Sequence, residues 1–213
     1  VQVEDQHATS WPSALRDAIR RCYITDHQLE LQSARVLKPK NQVLAAVLPD
    51  AGSTMAGDFG EILVYLYHAS KAHPQSVIGV KKWRLKQDRT KPAPHSDVVH
   101  FILPSGPRSS HNDVIVCSEV KTKSTDGESS PIKDAIKDCE KDRTSRLART
   151  LTWLKERALT GDLLGDLHLD HIERFLDAAK HPHAARRFHA VAVMCASVLA
   201  KELPDAPSEK SDQ

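Results

Sequence analysis

The run DVIVCSEVKTK, residues 113 to 123, constrains this chain more than any other segment. Val114 to Cys117 are consecutive strand formers with no polar break, the pattern of a strand buried on both faces inside a sheet. Such a strand needs neighbours beside it and layers above and below it. The run then turns polar at Glu119, Lys121 and Lys123. Side chains two apart on a strand share a face, so Glu119 and Lys121 project together, with Ile115 and Cys117 continuing that face inward.

The flanking segments predict what surrounds this strand. SDVVHFIL, residues 96 to 103, is a second run of strand formers. The turn-rich loop PSGPRSSHN joins the two, which favours adjacent antiparallel strands. SVIGVKKWRLK, residues 76 to 86, is a third β-rich stretch. Before it, GDFGEILVYLYHASKA places Phe59, Ile62, Leu63, Leu66 and Ala69 at helical spacing. Ser130 and Pro131 open a long helix as N-cap and first residue. Its apolar stripe runs through Ile132, Ile136, Cys139, Leu147, Leu151, Leu154 and Ala158, with a break expected near Thr144 and Ser145, and Gly161 ends it. LHLDHIERFLDAAK predicts a shorter helix, and FHAVAVMCAS a final buried strand followed by a short helix. Near the start, WPSALRDAIRRC predicts a helix capped by Ser10, and the stretch from Leu29 to Leu48 reads as strands. Strands alternating with helices around one sheet define an α/β architecture. The expected division is an N-terminal helical and strand extension over residues 1–50, a core over 51–202 and a disordered tail over 203–213.

A chain of 213 residues is long enough to bury a real core, and 40% hydrophobic with 27% charged residues is ordinary for a soluble globular protein. The net charge of +2 neither demands nor excludes nucleic acid. Cys22, Cys117, Cys139 and Cys195 are widely spaced, which argues against a structural zinc site or a disulfide framework and for a cytoplasmic protein with reduced thiols. The longest apolar stretch, AVAVMCASVLA, is too short to span a bilayer, so no membrane association is expected.

The chemistry suggested by the polar strand end is phosphodiester hydrolysis. That reaction needs a cation on the phosphate, an activated water and a stabilised leaving oxygen. Asp97 stands at the start of the neighbouring predicted strand, 22 positions before Glu119. If the strands pair, Asp97 and Glu119 can hold a metal, with the Val120 carbonyl as a further candidate ligand, and Lys121 can orient or deprotonate the attacking water. Mg²⁺ suits such a site because it prefers oxygen ligands and keeps several waters; Mn²⁺ would substitute. A Glu-x-Lys triplet alone says little, since roughly one is expected by chance in a chain of this size. Its weight comes from ending an apolar strand, with an acid one strand earlier and a third acid, Glu61, near a helix start. Glu61 could equally stabilise the positive end of its helix.

These residues resemble the PD-(D/E)xK nuclease superfamily. The resemblance implies a restriction-endonuclease-like core of helix, three-stranded meander, long helix and further strand. Asp97 corresponds to its first acidic motif, Glu119-Val120-Lys121 to its (D/E)xK motif and Glu61 to the glutamate many members carry on the first core helix. One departure is Ser96, where the motif's namesake has proline. Over residues 57 to 159 the chain is similar to the HamA family of Hachiman anti-phage defence. The carriers are the GDFGEILVYLYHASKA helix, SDVVHFIL, SEVKTK and the charged helix ending RLARTLTWLKE. That similarity implies a DNA nuclease acting with a helicase partner, HamB. The alternatives are a restriction-type or repair endonuclease, and a nuclease-like module that only binds DNA or a partner.

Other basic residues offer weaker expectations. Lys82, Arg84 and Lys86 alternate on a predicted strand and would be a charged edge or phosphate contacts. Lys123 could touch phosphate. Lys137, Lys141, Arg143, Arg146 and Arg149 alternate with acids along the long helix, which reads as a solvated face more than a DNA contact. His168, His171, His181, His183 and His189 lack the partners of a zinc site. There is no GxSxG elbow and no GxxxxGK[ST] loop.

Overall fold

In the computed structural model the described residues are 2–74, 76–106, 108–161, 164–177, 179–181 and 185–207. The elements in order are α1 (Asp5–Ala8), α2 (Trp11–Tyr23), α3 (Asp26–Val36), α4 (Lys40–Val47), α5 (Ser53–Ala72), β1 (Val77–Gly79), β2 (Val98–Ile102) and β3 (Val114–Lys123). Then come α6 (Pro131–Lys141), a π-turn over Asp142–Arg146, α7 (Leu147–Leu159), α8 (Leu169–Leu176), β4 (Ala185–Met194) and α9 (Ala196–Glu202). The chain divides into two compact units: Val1–Ile62 with Lys81–Ala93, and Leu63–Val80 with Pro94–Gln213.

The first unit is helical. Residues 29 to 48, expected as strands, form α3 and α4 instead. The local reason is a capping box. The Gln28 N–H donates to the Thr25 hydroxyl at 3.0 Å, and the Thr25 N–H donates back to the Gln28 side chain at 3.1 Å. Leu37, in the left-handed region with φ 51°, ends α3, and Pro39 caps α4. Leu29 and Val43 then bury against Ile24. Residues 81 to 93 are strapped to the α5 residues of this unit by buried ion pairs. Lys86 meets Asp58 at 2.7 Å, Tyr23 donates to the same carboxylate at 2.9 Å, and Lys82 meets Glu61 at 3.3 Å. The strand predicted over 76 to 86 therefore stops at Gly79, and Lys82–Leu85 coil into a 3-10 turn. Lys82 and Lys86 are buried counterions, not an exposed basic face.

The second unit is built on an open mixed sheet of order β1-β2-β3-β4. β1, β2 and β3 form an antiparallel meander, with β2 and β3 paired as the turn-rich loop between them predicts, and β4 runs parallel to β3. The register alternates cleanly. Ile115, Cys117, Glu119 and Lys121 share one face with Val99 and Phe101. That face packs on Leu147, Leu151 and Leu154 of α7 and on Ile172 and Phe175 of α8 to form the main core. β3 is the interior strand expected, buried from Val114 to Val120. Among the described residues β4 has one neighbouring strand and is part-exposed, unlike the buried strand predicted. Of the apolar stripe expected on the long helix, Leu147, Leu151 and Leu154 are buried, whereas Ile136 is exposed and Ala135 is buried beside it.

On the opposite face, Tyr65 stacks on His100 with ring centroids 4.8 Å apart, and His68 lies between His100 and His189. Gly79 makes room for this stack. A Cβ there would stand 2.3 Å from the Tyr65 ring. Among the described residues, no helix is long and apolar enough to cross a membrane. The four cysteines are all free. His168 and His171 cap α8 through a 3.2 Å bond from the His168 N–H to His171 Nδ1. His183 and residues 208–213 of the expected tail lie outside the described residues, while Leu203–Asp205 form a 3-10 turn.

Two predictions follow from this face. Gly79→Ala should destabilise the protein by about 1–3 kcal/mol through overpacking against Tyr65, read as a lowered urea midpoint. Burial pulls the His100 imidazole from 6.5 down to about 4, with the His68 charge adding to it, and burial also lowers His68 and His189. A histidine with a depressed folded pKa contributes stability that is complete above its unfolded value and lost as pH falls toward the folded one. Urea midpoints should thus drop between pH 6.5 and about 4, and His100→Phe, which keeps the aromatic stack, should flatten that slope.

Candidate active site

Three of the four residues singled out from sequence come together in the second unit. Val98 pairs with Ser118, so one further step of the antiparallel register sets Asp97 opposite Glu119. The contact is secured through the backbone, because the Val120 N–H donates to Asp97 Oδ2 at 2.8 Å. Lys121 Nζ donates to Glu119 Oε1 at 2.8 Å from the same face of β3. Glu119 is 2% exposed, whereas the Lys121 side chain is 31% exposed, so the cluster opens to solvent at the lysine end. Glu61 belongs to the other unit. It accepts from Trp83 Nε1 at 3.1 Å and pairs with Lys82.

The long helix contributes more to this cluster than its sequence suggests. Asp138 receives a 2.6 Å hydrogen bond from Lys121, and Arg146 forms an ion pair with Glu119 Oε2. Asp142 is fully buried, with Arg146 Nε 3.7 Å from its Oδ1. Pairs at i,i+3 join Arg143 to Glu140 and Lys141 to Asp138, whereas Asp142 and Arg146 turn inward. The cause is the π-turn. Asp142 and Leu147 are both buried and five positions apart, the repeat of a π-helix, so one extra residue lets both face inward. The sequence held a trace of this. Cys139 and Leu147 are eight positions apart, where two α-helical turns span about seven.

Ser96 joins the two halves of the site. Its hydroxyl donates to Asp142 Oδ1 at 2.8 Å, and its N–H donates to Thr150 Oγ1 at 3.1 Å. Thr150 in turn donates to the Arg146 carbonyl at 2.8 Å. Proline has neither the hydroxyl nor the N–H. The residue before Asp97 thus fastens the start of β2 to the π-turn.

The electrostatics follow from burial and pairing. Burial raises the Asp142 carboxyl to about 6, against the lowering effects of the Ser96 hydroxyl and Arg146, with Glu119 and Asp97 adding repulsion. Asp97 and Glu119 also both act on Arg146, which places these carboxylates in one electrostatic neighbourhood. Hydrogen bonds from Lys121 and Lys141 hold Asp138 down at about 2. Burial alone would lower Lys121. Its bonds to Asp138 and Glu119 outweigh that and raise it above the ordinary lysine range, so it stays an ammonium at neutral pH. Lys123 is held apart from the cluster's own hydrogen bonds. It is committed to Glu202 at 2.7 Å and to carbonyls of the loop that follows β3.

An open mixed sheet whose inner strands end in a buried carboxylate–lysine cluster defines a mixed α/β protein with a charged site at one sheet end. The family model for HamA matches residues 2–211, and the chain belongs to the HamA family, that of Hachiman anti-phage defence. No curated protein and no solved structure matches it.

Placing proline before Asp97 should damage the site. Ser96→Pro removes two buried donors and should cost about 2–4 kcal/mol in denaturant unfolding. Ser96→Ala, which keeps the N–H, should cost about 1 kcal/mol.

Proposed function

We propose that this chain is a Mg²⁺-dependent DNA nuclease with a PD-(D/E)xK core, acting with a helicase partner in the cytoplasm. The observation that carries the reading is the placement of Asp97 opposite Glu119 with Lys121 beside it. The order of α5, the β1-β2-β3 meander, α6 with α7, and then β4 supports it, since that is the order the superfamily resemblance implies.

Magnesium fits the donors. Among the described residues, no group of three or more His, Cys, Asp or Glu side chains is arranged to hold a metal ion. A cation here would rest on the two carboxylates of Asp97 and Glu119. Two carboxylates suffice for magnesium, which keeps waters and takes substrate phosphate as further ligands. When bound it would supply Lewis-acid stabilisation of the phosphate and activation of water.

The chain's own residues supply positioning. Lys121, held as an ammonium between Glu119 and Asp138, can hydrogen-bond the attacking water and balance charge on the phosphate. In that protonated form it orients water and does not abstract its proton. Asp142, Ser96 and Thr150 hold the strand start and the π-turn in register, so the carboxylates need not reorganise. Glu61, which the superfamily resemblance offers as a metal support, is held by Lys82 and Trp83 in the first unit.

Purified protein, alone and with a co-encoded helicase, should cut DNA in Mg²⁺ or Mn²⁺ and stop when the metal is chelated. Glu119→Gln and Lys121→Ala should each lower cleavage by roughly a hundredfold or more, the scale for losing one preorganised charged group. Glu61→Gln should lower it less and reduce the unfolding midpoint. Cutting that survives both Glu119→Gln and Lys121→Ala would sink the site. DNA binding without cutting under every condition would favour a binding module.

A further inference from the structure

Two cations meet Glu119, and only Lys121 belongs to the motif. Arg146 takes the other carboxylate oxygen, Oε2. Its position is fixed from two sides. The Thr150 hydroxyl holds its carbonyl, and the fully buried Asp142 carboxylate lies 3.7 Å from its Nε. The side chain is 19% exposed, so it is not sealed from solvent. A guanidinium is a planar fork that matches phosphate oxygens as well as it matches a carboxylate. It keeps its charge at any working pH.

We propose that Arg146 is a working residue of this site: it competes with a divalent cation for Glu119 Oε2 and presents its guanidinium to a substrate phosphate. The proposal rests on the nuclease reading above. A cation held by Asp97 and Glu119 repels a guanidinium bonded to the same carboxylate, so the two cannot both grip it at full strength. A nucleic-acid phosphate brought to the site supplies the negative charge the guanidinium then lacks. Asp142 and Thr150 keep Arg146 anchored at its root during this exchange. A guanidinium that only neutralised a buried carboxylate would affect stability, but it would leave the salt dependence of DNA binding unchanged.

The test uses the full chain and two measurements. Mn²⁺ affinity is read by calorimetric titration, and binding to a short DNA duplex is measured in Ca²⁺ across a salt series. Arg146→Met should bind Mn²⁺ about tenfold more tightly, because a competing charge is gone. It should bind duplex several-fold more weakly, with the salt slope reduced by about one. Arg146→Lys keeps the charge and the most native-like packing. It should retain the salt slope while Mn²⁺ affinity rises by roughly two- to threefold, since a single ammonium grips the carboxylate less well than a fork. If Arg146→Met does not fold, the Mn²⁺ affinity of Arg146→Lys decides alone. Unchanged Mn²⁺ affinity in either folded variant overturns the proposal, as does an unchanged salt slope in Arg146→Met. Glu119→Gln separates the two levels of argument. Its loss of Mn²⁺ binding leaves the nuclease reading standing whatever Arg146 does, and Mn²⁺ binding equal to wild type removes both.

Discussion

Placing Glu119 at the inner end of an apolar strand carries a desolvation cost of several kcal/mol unless other charges and hydrogen bonds surround it. Lys121 and Arg146 supply the charges, one from the same strand and one from the long helix. Each cation then needs its own partner, and Asp138 and Asp142 provide them. Asp142 is itself fully buried and leans on Ser96, which immediately precedes Asp97. The requirement to satisfy one carboxylate thus propagates through the helix and returns to the neighbouring strand. Strand, π-turn and strand start form one closed electrostatic circuit. The rest of the unit positions its members.

Much of this was legible in the sequence, for reasons that can be named. VIVC could only be an interior strand, and the period of two then fixed which side chains share the face of Glu119. Turn residues between the two apolar runs set their pairing, which brought Asp97 across from Glu119. The failures also have physical causes. The charges on the long helix alternate in sign, and local pattern alone cannot separate a solvated face from one that closes over a site. The π-turn turned Asp142 and Arg146 inward; the break expected near Thr144 and Ser145 and the eight-residue gap from Cys139 to Leu147 pointed to a change there but not to its inward turn. Residues 29 to 48 alternated like strands, yet the Thr25–Gln28 capping box committed them to helix.

The basic stretch from Lys82 to Lys86 failed for a different reason. Its alternation suggested a strand edge, but Asp58 and Glu61 are one turn apart on α5 and capture the two lysines. Two tertiary ion pairs overrode the local preference. The same capture holds Glu61 in the first unit, so a residue that resemblance offered to the metal site has structural work of its own.

The π-turn also makes spacing a functional variable in its own right. Each residue of an α-helix turns the chain by about 100°, so removing one residue between Asp142 and Arg146 would heal the helix and swing everything before the cut away from its present bearing. Leu147, Leu151 and Leu154 would still fill the core. Asp138 and Asp142 would face elsewhere, and Lys121 and Arg146 would still meet Glu119 but lose the carboxylates that pair with them. A chain one residue shorter here would be a more regular helix and a poorer site, with every motif residue still present.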